Sequence, residues 1–277
     1  MTFRDDLFMA RFGLKSRHED TDLRLDEPVA RMIGRRVCRK YGREAVSEGL
    51  LETLLAAAQS APAKSDLQQF SIIVTDRDQQ RRISDLIGSM PWIADAPCFL
   101  VFCADMRRGQ RVAEIRGRGH VNNTLDTFMN ATVDAALAMM AFITAADFKG
   151  LGTCPISAVR AVIAEVTDIL ALPKGVFPVA GLTVGYPADD GKFSLRLPPS
   201  VVVHHGRYDD GNLEAELRAY DARRNRVQPV LPEKQLHKDA FGIADDYGWS
   251  ESTARRLAKR ERDNFGAFIR SHGFDLE

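Results

Sequence analysis

Cysteine is scarce in this sequence. Only four cysteines occur in 277 residues, at Cys38, Cys98, Cys103 and Cys154, and no two of them form a Cys-x-x-Cys pair. A disulfide framework and a zinc knuckle both need several cysteines at short, regular spacings, so the sequence argues against both. We expect reduced thiols in a cytoplasmic protein without a metal site.

The chain also lacks net charge, because 38 basic residues are matched by 38 acidic ones. Nucleic acids and anionic membranes attract proteins with a large positive excess, so neither is expected as a partner. Hydrophobic residues make up 45% of the sequence, which is enough for the core of one large domain or two small ones. The composition therefore favours a globular protein whose ligand is small.

No signal sequence is recognisable. The segment Met1–Ile33 mixes basic and acidic side chains without an apolar stretch, so we expect an arm or a frayed tail outside the main body. The one long apolar stretch, Ala131–Ala146, lies between Asn130 and Asp147 and is shorter than the roughly 20 residues that cross a membrane. It predicts a central helix that is buried on every side, in a chain that needs a second copy to cover it.

Motifs for nucleotide phosphates and for side-chain catalysis are missing. Gly117-Arg118-Gly119 and Gly150-Leu151-Gly152 begin Gly-x-Gly pairs but lack the third glycine, and there is no Walker lysine. No serine, histidine and aspartate combine around a nucleophile elbow. His204 and His205 are adjacent on a predicted strand, so their side chains point to opposite faces and do not share a metal ion. Any reaction would have to be carried by a cofactor.

Hydrophobic periodicity predicts helices that alternate with strands. Ser47 caps a helix that Pro62 ends. Further helices are predicted at Asp78–Gly88, at Ala158–Leu170 with Ser157 as the cap, at Leu213–Tyr220 and at Trp249–Ser271, and strands at Phe70–Thr75, Cys98–Cys103 and Val176–Tyr186.

Arginines cluster in the run Arg35-Arg36-Val37-Cys38-Arg39. Guanidiniums present paired donors that match phosphate oxygens. A polar loop follows at Ala61–Gln68, a glycine turn at Gly150–Gly152 precedes a predicted helix, and Arg196 lies further on. A bound phosphorylated cofactor is one interpretation of this pattern, and a solvated charged surface is the other.

The order of these motifs resembles a known family. Arg35-Arg36-x-x-Arg39 is followed by Ala61-Pro62…Leu67-Gln68, Gly150-Leu151-Gly152, Leu172-Pro173…Pro178-Val179-Ala180-Gly181 and Arg196-Leu197-Pro198. Together they resemble the FMN-dependent nitroreductase family, and within it the branch of oxygen-insensitive NADPH nitroreductases and NADPH-flavin reductases. The likeness runs from about Gly34 to Tyr220 and again over Trp249–Phe274, and the N-terminal segment falls outside it.

The resemblance implies an α+β fold with a central, mostly antiparallel sheet flanked by helices, in a domain-entwined homodimer. It divides the chain into an N-terminal arm (1–33), an FMN-binding core (34–208) and a helical C-terminal arm (209–277) that wraps the partner subunit. It also implies an NAD(P)H-dependent enzyme, in which hydride passes through flavin to a nitroaromatic, a quinone or free flavin by a ping-pong mechanism. No catalytic side chain is expected, because FMN carries the chemistry.

The resemblance also implies which residues bind the cofactors. FMN would contact Arg35, Arg36, Val37, Cys38, Arg39, Asp66, Gln68, Pro155, Ile156, Ser157, Ala158 and Arg196, with the four arginines on the phosphate and ribityl chain. Arg223, Arg224 and Arg226 of the C-terminal arm would bind the 2′-phosphate of NADPH. A solvated basic cluster is the alternative for these three residues.

The chain departs from the family pattern at several positions. Val37 stands where the family usually has serine, and Ala63-Lys64 stands where it has paired serines. Asp66 replaces an asparagine, and Ser157-Ala158 replaces a Gly-Gly pair. The segment Ser194-Leu195-Arg196 replaces a Lys-Pro-Arg run. Lys64 restores a positive charge, whereas Asp66 near the ring would disfavour an anionic reduced flavin. Two alternatives therefore stay open. One is a reductase on the same scaffold with another task, such as dehalogenation or flavin breakdown, and the other is a flavin-binding dimer without turnover.

Overall fold

A computed structural model describes residues 4–15, 27–191 and 193–277 of the chain. In chain order the elements are α1 (Arg4–Phe12), α2 (Glu27–Gly34), α3 (Glu48–Gln59), β1 (Phe70–Val74), α4 (Arg77–Ile87), α5 (Trp92–Asp95), β2 (Cys98–Asp105), α6 (Arg107–Ile115), α7 (Leu125–Phe148), β3 (Gly152–Ile156), α8 (Ile163–Ile169), β4 (Val176–Gly185), α9 (Pro199–Val202), α10 (Leu213–Val227), α11 (Lys238–Phe241), α12 (Trp249–Leu257) and α13 (Phe265–Ser271). Short 3₁₀ turns lie at Lys64–Asp66, Ser157–Arg160 and Pro232–Lys234.

The chain forms two compact units. The sheet unit consists of residues 36–192 and 262–277, and the helical unit consists of residues 1–35 and 193–261. All four strands lie in the sheet unit, whereas α1, α2 and α9–α12 lie in the helical unit. The division into residues 1–33, 34–208 and 209–277 stays a prediction.

The strands of the sheet unit form one antiparallel sheet in the order β1-β2-β4-β3. The predicted α+β class with an antiparallel sheet is therefore confirmed. Every residue of β4 is buried, as is every residue of β2 after Cys98. Strands covered on both faces are apolar throughout rather than alternating, which explains the continuous hydrophobic stretches in the sequence.

Helix α7 crosses the core of the sheet unit and is longer than its apolar stretch indicates. It has 24 residues, with Thr124 as its N-cap. Its length and composition would suffice for a membrane span, a criterion that the core helices of globular proteins also meet. One face packs into the core through residues that include Ala135, Ala138 and Phe142. The expectation of burial on every side is wrong for the single chain, because the opposite face is exposed along Met129, Val133, Leu137 and Met140.

The predicted cap at Ser47 is confirmed, and the structure shows a further cap at the start of α4. The Ser47 hydroxyl accepts a hydrogen bond from Leu50 N at the start of α3. Asp76 and Gln79 form a capping box at the start of α4, in which each side chain accepts from the other residue's backbone N–H. These helices begin where short-range polar contacts satisfy the first free N–H groups.

Other expectations fail in detail. Ser157 does not cap a helix, because Gly152–Ile156 pairs with β4 as an edge strand and a 3₁₀ turn follows it directly. His204 and His205 do not lie on a strand, and the predicted helix Trp249–Ser271 is interrupted after Leu257. His204 instead accepts a hydrogen bond at Nδ1 from Asp209 N at 3.3 Å.

The helical unit has few buried side chains but several buried polar anchors. Tyr220 of α10 is 1% exposed and packs edge-on against Trp249 of α12, with ring centroids 5.8 Å apart. The Asp221 carboxylate accepts hydrogen bonds from Trp249 N and Ser250 N and so caps α12. For the N-terminal segment, expected to be an arm or a frayed tail, the structure shows helices at residues 4–12 and 27–34; residues 1–3 and 16–26 lie outside the described chain.

Close packing in the sheet predicts a strong effect for one glycine. A Cβ atom at Gly181 would lie 2.5 Å from the ring of Phe99, which is fully buried. We expect Gly181→Ala to lower the free energy of unfolding by about 1–3 kcal/mol through overpacking, measured by urea denaturation. Gly49→Ala is the matched control, because nothing lies within 4 Å of its added Cβ on α3. Equal stabilities for the two variants would contradict this packing.

Candidate cofactor site

The residues predicted to bind FMN divide between the two units. Arg36, Val37, Cys38, Arg39, Asp66, Gln68, Pro155, Ile156, Ser157 and Ala158 belong to the sheet unit, and Arg35 and Arg196 belong to the helical unit together with Arg223, Arg224 and Arg226.

The polar loop between α3 and β1 has an unusual backbone. Ser65, Asp66 and Gln68 adopt positive φ angles of 50°, 56° and 50°. Left-handed backbone costs roughly 1–3 kcal/mol for a residue with a side chain and persists only where the surroundings enforce it. This loop must therefore be held by contacts from outside itself.

The first such contact is the carboxylate of Asp134. This side chain projects from the buried face of α7, is 1% exposed, and accepts hydrogen bonds from Lys64 N and Gln69 N at 3.0 Å each. A carboxylate buried in an apolar helix is costly unless its oxygens are satisfied, and here each oxygen binds one end of the loop. Asp134 thereby fixes the chain on both sides of the left-handed residues.

The second contact comes from Arg108 on α6. Its Nη1 donates to Gln68 O at 2.7 Å and to Phe70 O at 3.0 Å. Its Nη2 donates to the Ser71 hydroxyl and to the Asp105 carboxylate, which is itself buried. Neither Arg108 nor Asp134 was among the predicted site residues. Both residues lie far from the loop in the sequence. The one indication in the sequence was the presence of an aspartate, Asp134, within an apolar helix.

The held loop presents the side chain of Gln68 to solvent. Its Nε2 donates to Asp66 Oδ1 at 3.0 Å, which fixes the amide and leaves its carbonyl oxygen to accept a hydrogen bond from a ligand. Asp66 adds a negative charge at the same place. The loop thus offers an acceptor and an anion in a preset geometry.

The arginine run contributes two exposed guanidiniums to the sheet unit. Arg36 Nη1 donates to Asp190 O at 2.8 Å. Arg39 stacks on Trp92, with its Cζ 5.5 Å from the ring centroid. Arg39 also lines a cavity of about 620 Å³ together with Arg43 and Arg77. This edge of the unit is strongly cationic and accessible.

Cys38 lies between these arginines but faces inward. It is 6% exposed, its Sγ donates to Lys40 O at 3.1 Å, and it packs against Gly152, where an added Cβ would lie 2.4 Å from Cys38 Cβ. Burial raises the pKa of the Cys38 thiol, so it stays protonated at neutral pH. Its side chain holds the arginine run to the edge strand.

A further arginine, absent from the predicted set, reaches the turn after β3. Arg262 has a positive φ of 60° and donates from Nη2 to the Ser157 hydroxyl at 3.2 Å. Its Nε is buried and has no hydrogen-bond partner among the described residues. Burial, and then the charge of Arg262, lower the pKa of Arg160, whose Nη1 donates to Val179 O. The sequence contains no local signal for Arg262, because the predicted helix Trp249–Ser271 places it within a helix, whereas the structure places it between α12 and α13.

The helical unit gathers its own basic cluster around Tyr220. Burial raises the pKa of Tyr220, and so does the charge of Asp221, whereas the positive charges of Arg224, Arg196 and Arg223 oppose that effect. Arg223 Nε and Nη2 and Arg224 Nη1 are buried without hydrogen-bond partners among the described residues. Arg226 is exposed. Unsatisfied guanidinium N–H groups of this kind suit an anionic ligand.

These donors fit FMN. Phosphate requires cationic forks, which Arg36 and Arg39 supply in the sheet unit. The polar edge of the flavin ring requires an acceptor and donors, and the same unit offers the Gln68 carbonyl oxygen, the Ser157 hydroxyl and the Arg262 Nε, which has no partner among the described residues. Nothing in the described donor set conflicts with the cofactor.

Comparison with known proteins agrees with this chemistry. A sequence model described as "Nitroreductase family" matches residues 32–186, and one described as "Nitroreductase family, C-terminal domain" matches residues 194–277. The FMN reductase [NAD(P)H] of Bacillus subtilis is 33% identical over 257 residues, which is 91% of this chain and 100% of that protein. The oxygen-insensitive NADPH nitroreductase of Salmonella typhimurium is 32% identical, covering 88% of this chain and 96% of that protein.

Solved structures give the same picture. The structure of NfrA2 from B. megaterium has a TM-score of 0.80 and 34% identity, covering 91% of this chain and all of that one. The NADPH:FMN oxidoreductase from Vibrio harveyi, solved with NAD+, has a TM-score of 0.77 and 25% identity, covering 90% of this chain and 98% of that one.

The two hydrogen bonds of Asp134 predict a measurable loss on substitution. Asp134→Asn keeps the size of the side chain but turns an N–H₂ group towards one backbone N–H. We expect the free energy of unfolding to fall by about 1–3 kcal/mol, together with weaker FMN binding. Asp126→Asn is the control, because Asp126 is exposed on the same helix and should change stability by less than about 1 kcal/mol. Similar losses in both variants, in chemical denaturation, would show that the loop contact contributes little.

Proposed function

The chain belongs to the nitroreductase family, and we propose that it reduces nitroaromatics, quinones or free flavin by a ping-pong mechanism. It is an FMN-dependent oxidoreductase with NAD(P)H as the electron donor. The observation that supports the proposal is the combination of cationic forks with a rigid Asp66–Gln68 loop, in a chain that aligns over nearly its whole length with FMN reductases and a nitroreductase.

When bound, FMN would supply the hydride-transfer chemistry that no side chain can provide. The protein's contribution is binding and orientation. Arg35, Arg36, Arg39 and Arg196 would hold the phosphate. Gln68, whose amide is held in place by Asp66, would accept a hydrogen bond from the ring edge. The negative charge of Asp66 would disfavour additional negative charge on a ring bound beside it.

Two other functions are compatible with the altered loop. One is a reductase with a different acceptor, as in dehalogenation or flavin breakdown, and the other is a flavin-binding dimer without turnover. The visible spectrum of the purified protein separates these functions. A yellow protein that bleaches with NADPH supports a reductase, a yellow protein that does not bleach supports the binding dimer, and a colourless protein that binds no added FMN contradicts them all.

We place the protein in the cytoplasm. Its four cysteines are all free thiols, and three of them are buried. Burial raises the pKa of Cys98 to about 11 and that of the Cys103 thiol further, so these thiols are inert core groups.

The phosphate assignment predicts the effect of one arginine. Arg39→Ala should weaken FMN binding at least about tenfold, because a hydrogen bond to a charged group contributes roughly 1.5–3 kcal/mol. Arg43→Ala is the matched control, since Arg43 lines the same cavity but is not a proposed ligand. Titration of the apo-protein with FMN, followed by flavin fluorescence, measures both constants. An unchanged constant for Arg39→Ala would remove this residue from the site.

We also propose that the protein is a homodimer joined through the exposed face of α7. Met129, Val133, Leu137 and Met140 are 54%, 48%, 40% and 43% exposed and lie on one side of the helix. A contiguous apolar stripe of this kind marks an interaction surface.

A charge on this face should therefore produce monomers. We expect Leu137→Arg to be monomeric by light scattering at micromolar concentration, whereas the unchanged chain and Leu86→Arg remain dimeric. Leu86 is the control because it is an equally exposed leucine, at 41%, on α4. A monomeric unchanged chain with FMN bound would refute the proposed dimer.

The basic cluster of α10 supports a preference for NADPH. Neutralising Arg223, Arg224 and Arg226 to glutamine should raise KM for NADPH and leave KM for NADH almost unchanged, because only NADPH carries the additional phosphate. Arg218→Gln is the control on the same helix, where the side chain is exposed and paired with Glu214. Equal effects on both nucleotides would indicate a structural role, and no effect would indicate a solvated surface.

A further inference from the structure

The N-terminal helix α1 lies outside the part of the chain that matches the family. The family model begins at residue 32, and the relatives cover about nine-tenths of this chain. Nevertheless α1 carries one of the few buried arginines, Arg11, which is 7% exposed. A buried guanidinium needs specific partners, so its contacts show what this segment does.

Arg11 joins two separate stretches of chain in the helical unit. Its Nε and Nη2 donate to Ile33 O at 2.8 and 2.6 Å, and Nη2 also donates to Arg35 O. Its Nη1 donates to Ser194 O at 2.9 Å. The guanidinium therefore binds the backbone of Arg35 on one side and that of the Ser194-Leu195-Arg196 segment on the other.

The second stretch is fixed at every residue. Arg196 N donates to Arg11 O at 2.8 Å, so Arg11 contacts this segment with both its side chain and its backbone. Tyr220 Oη donates to Leu195 O at 3.1 Å, and Gln228 Nε2 donates to Phe193 O. The ring of Phe193 lies against the guanidinium, with its centroid 4.1 Å from Arg11 Cζ.

The planar guanidinium makes this arrangement rigid. Its donors have fixed directions, so a single Arg11 side chain sets the spacing between the backbones that carry Arg35 and Arg196. The end of α1 is fitted closely to the same unit. Gly13 has a φ of +66°, and a Cβ added at this position would lie only 3.3 Å from Arg223 Cδ.

We propose that Arg11 is a positioning residue for the FMN phosphate, through which the N-terminal helix holds Arg35 and Arg196 at the spacing that a phosphate requires. This inference rests on the proposed function, in which both arginines bind that phosphate. The guanidinium of Arg11 donates to the backbone carbonyls of Ile33, Arg35 and Ser194, so we assign it no direct contact with the phosphate. Its effect is on the pre-organisation of the two phosphate ligands, which lowers the cost of ordering them when FMN binds.

The test compares FMN with riboflavin, which lacks the phosphate. Arg11→Ala in the full chain should weaken FMN binding at least about tenfold and leave riboflavin binding within about twofold, as measured by flavin fluorescence titration. Arg11→Lys should recover part of the FMN affinity, because lysine keeps the charge and reaches carbonyls without the fixed fork. Asp6→Ala, at an exposed position of the same helix, should behave like the unchanged chain.

Parallel variants separate the inference from the proposed site. If Arg35→Ala and Arg196→Ala weaken FMN binding but Arg11→Ala does not, the inference is wrong and the phosphate site stands. If Arg35→Ala and Arg196→Ala leave FMN binding unchanged, the phosphate site itself is wrong. Equal weakening of FMN and riboflavin by Arg11→Ala would show a general structural role and overturn the proposal. Should Arg11→Ala fail to fold, the ratio of FMN to riboflavin affinity in Arg11→Lys decides the same question.

Discussion

The candidate site depends on the buried carboxylate of Asp134. The loop before β1 has three left-handed residues with side chains, a conformation that its own sequence does not stabilise. Asp134 compensates by accepting the backbone N–H groups of Lys64 and Gln69, and the apolar surroundings strengthen both hydrogen bonds. Arg108 adds hydrogen bonds to the backbone carbonyls of Gln68 and Phe70 at the end of the loop. The geometry of the loop is therefore set by Asp134 and Arg108, which lie outside it.

The helical unit is ordered in the same way, by a buried side chain of the opposite charge. Asp134 is an anion that binds backbone N–H groups, whereas Arg11 is a cation that binds backbone carbonyls. In each case a single buried charge holds backbone segments whose side chains are the proposed contacts of the cofactor. Such a charge is stable only when its hydrogen bonds are complete, so the segments have little freedom to relax. Both segments are therefore pre-organised before a cofactor binds.

The departures from the family pattern become interpretable from the contacts that these residues make. Asp66 does not disturb the loop, because Gln68 Nε2 donates to its carboxylate at 3.0 Å. Ser157, where the family has glycine, meets Arg262 and so gains a polar partner. Val37 is half-buried and supplies no hydroxyl.

Local and repetitive features were determined by the sequence alone. The sequence predicted the capped helix α3 and the buried strands β2 and β4, because each of these elements depends on residues that are close neighbours in the chain. Tertiary structure decided the rest. Ser157 lies in a turn and not at a helix cap because β3 pairs with β4, and α7 exposes a stripe because the sheet covers only one side of it. Arg11, Asp134 and Arg262 could not be assigned from sequence, since their partners lie up to 183 residues away and a lone charge does not reveal which distant backbone it will meet.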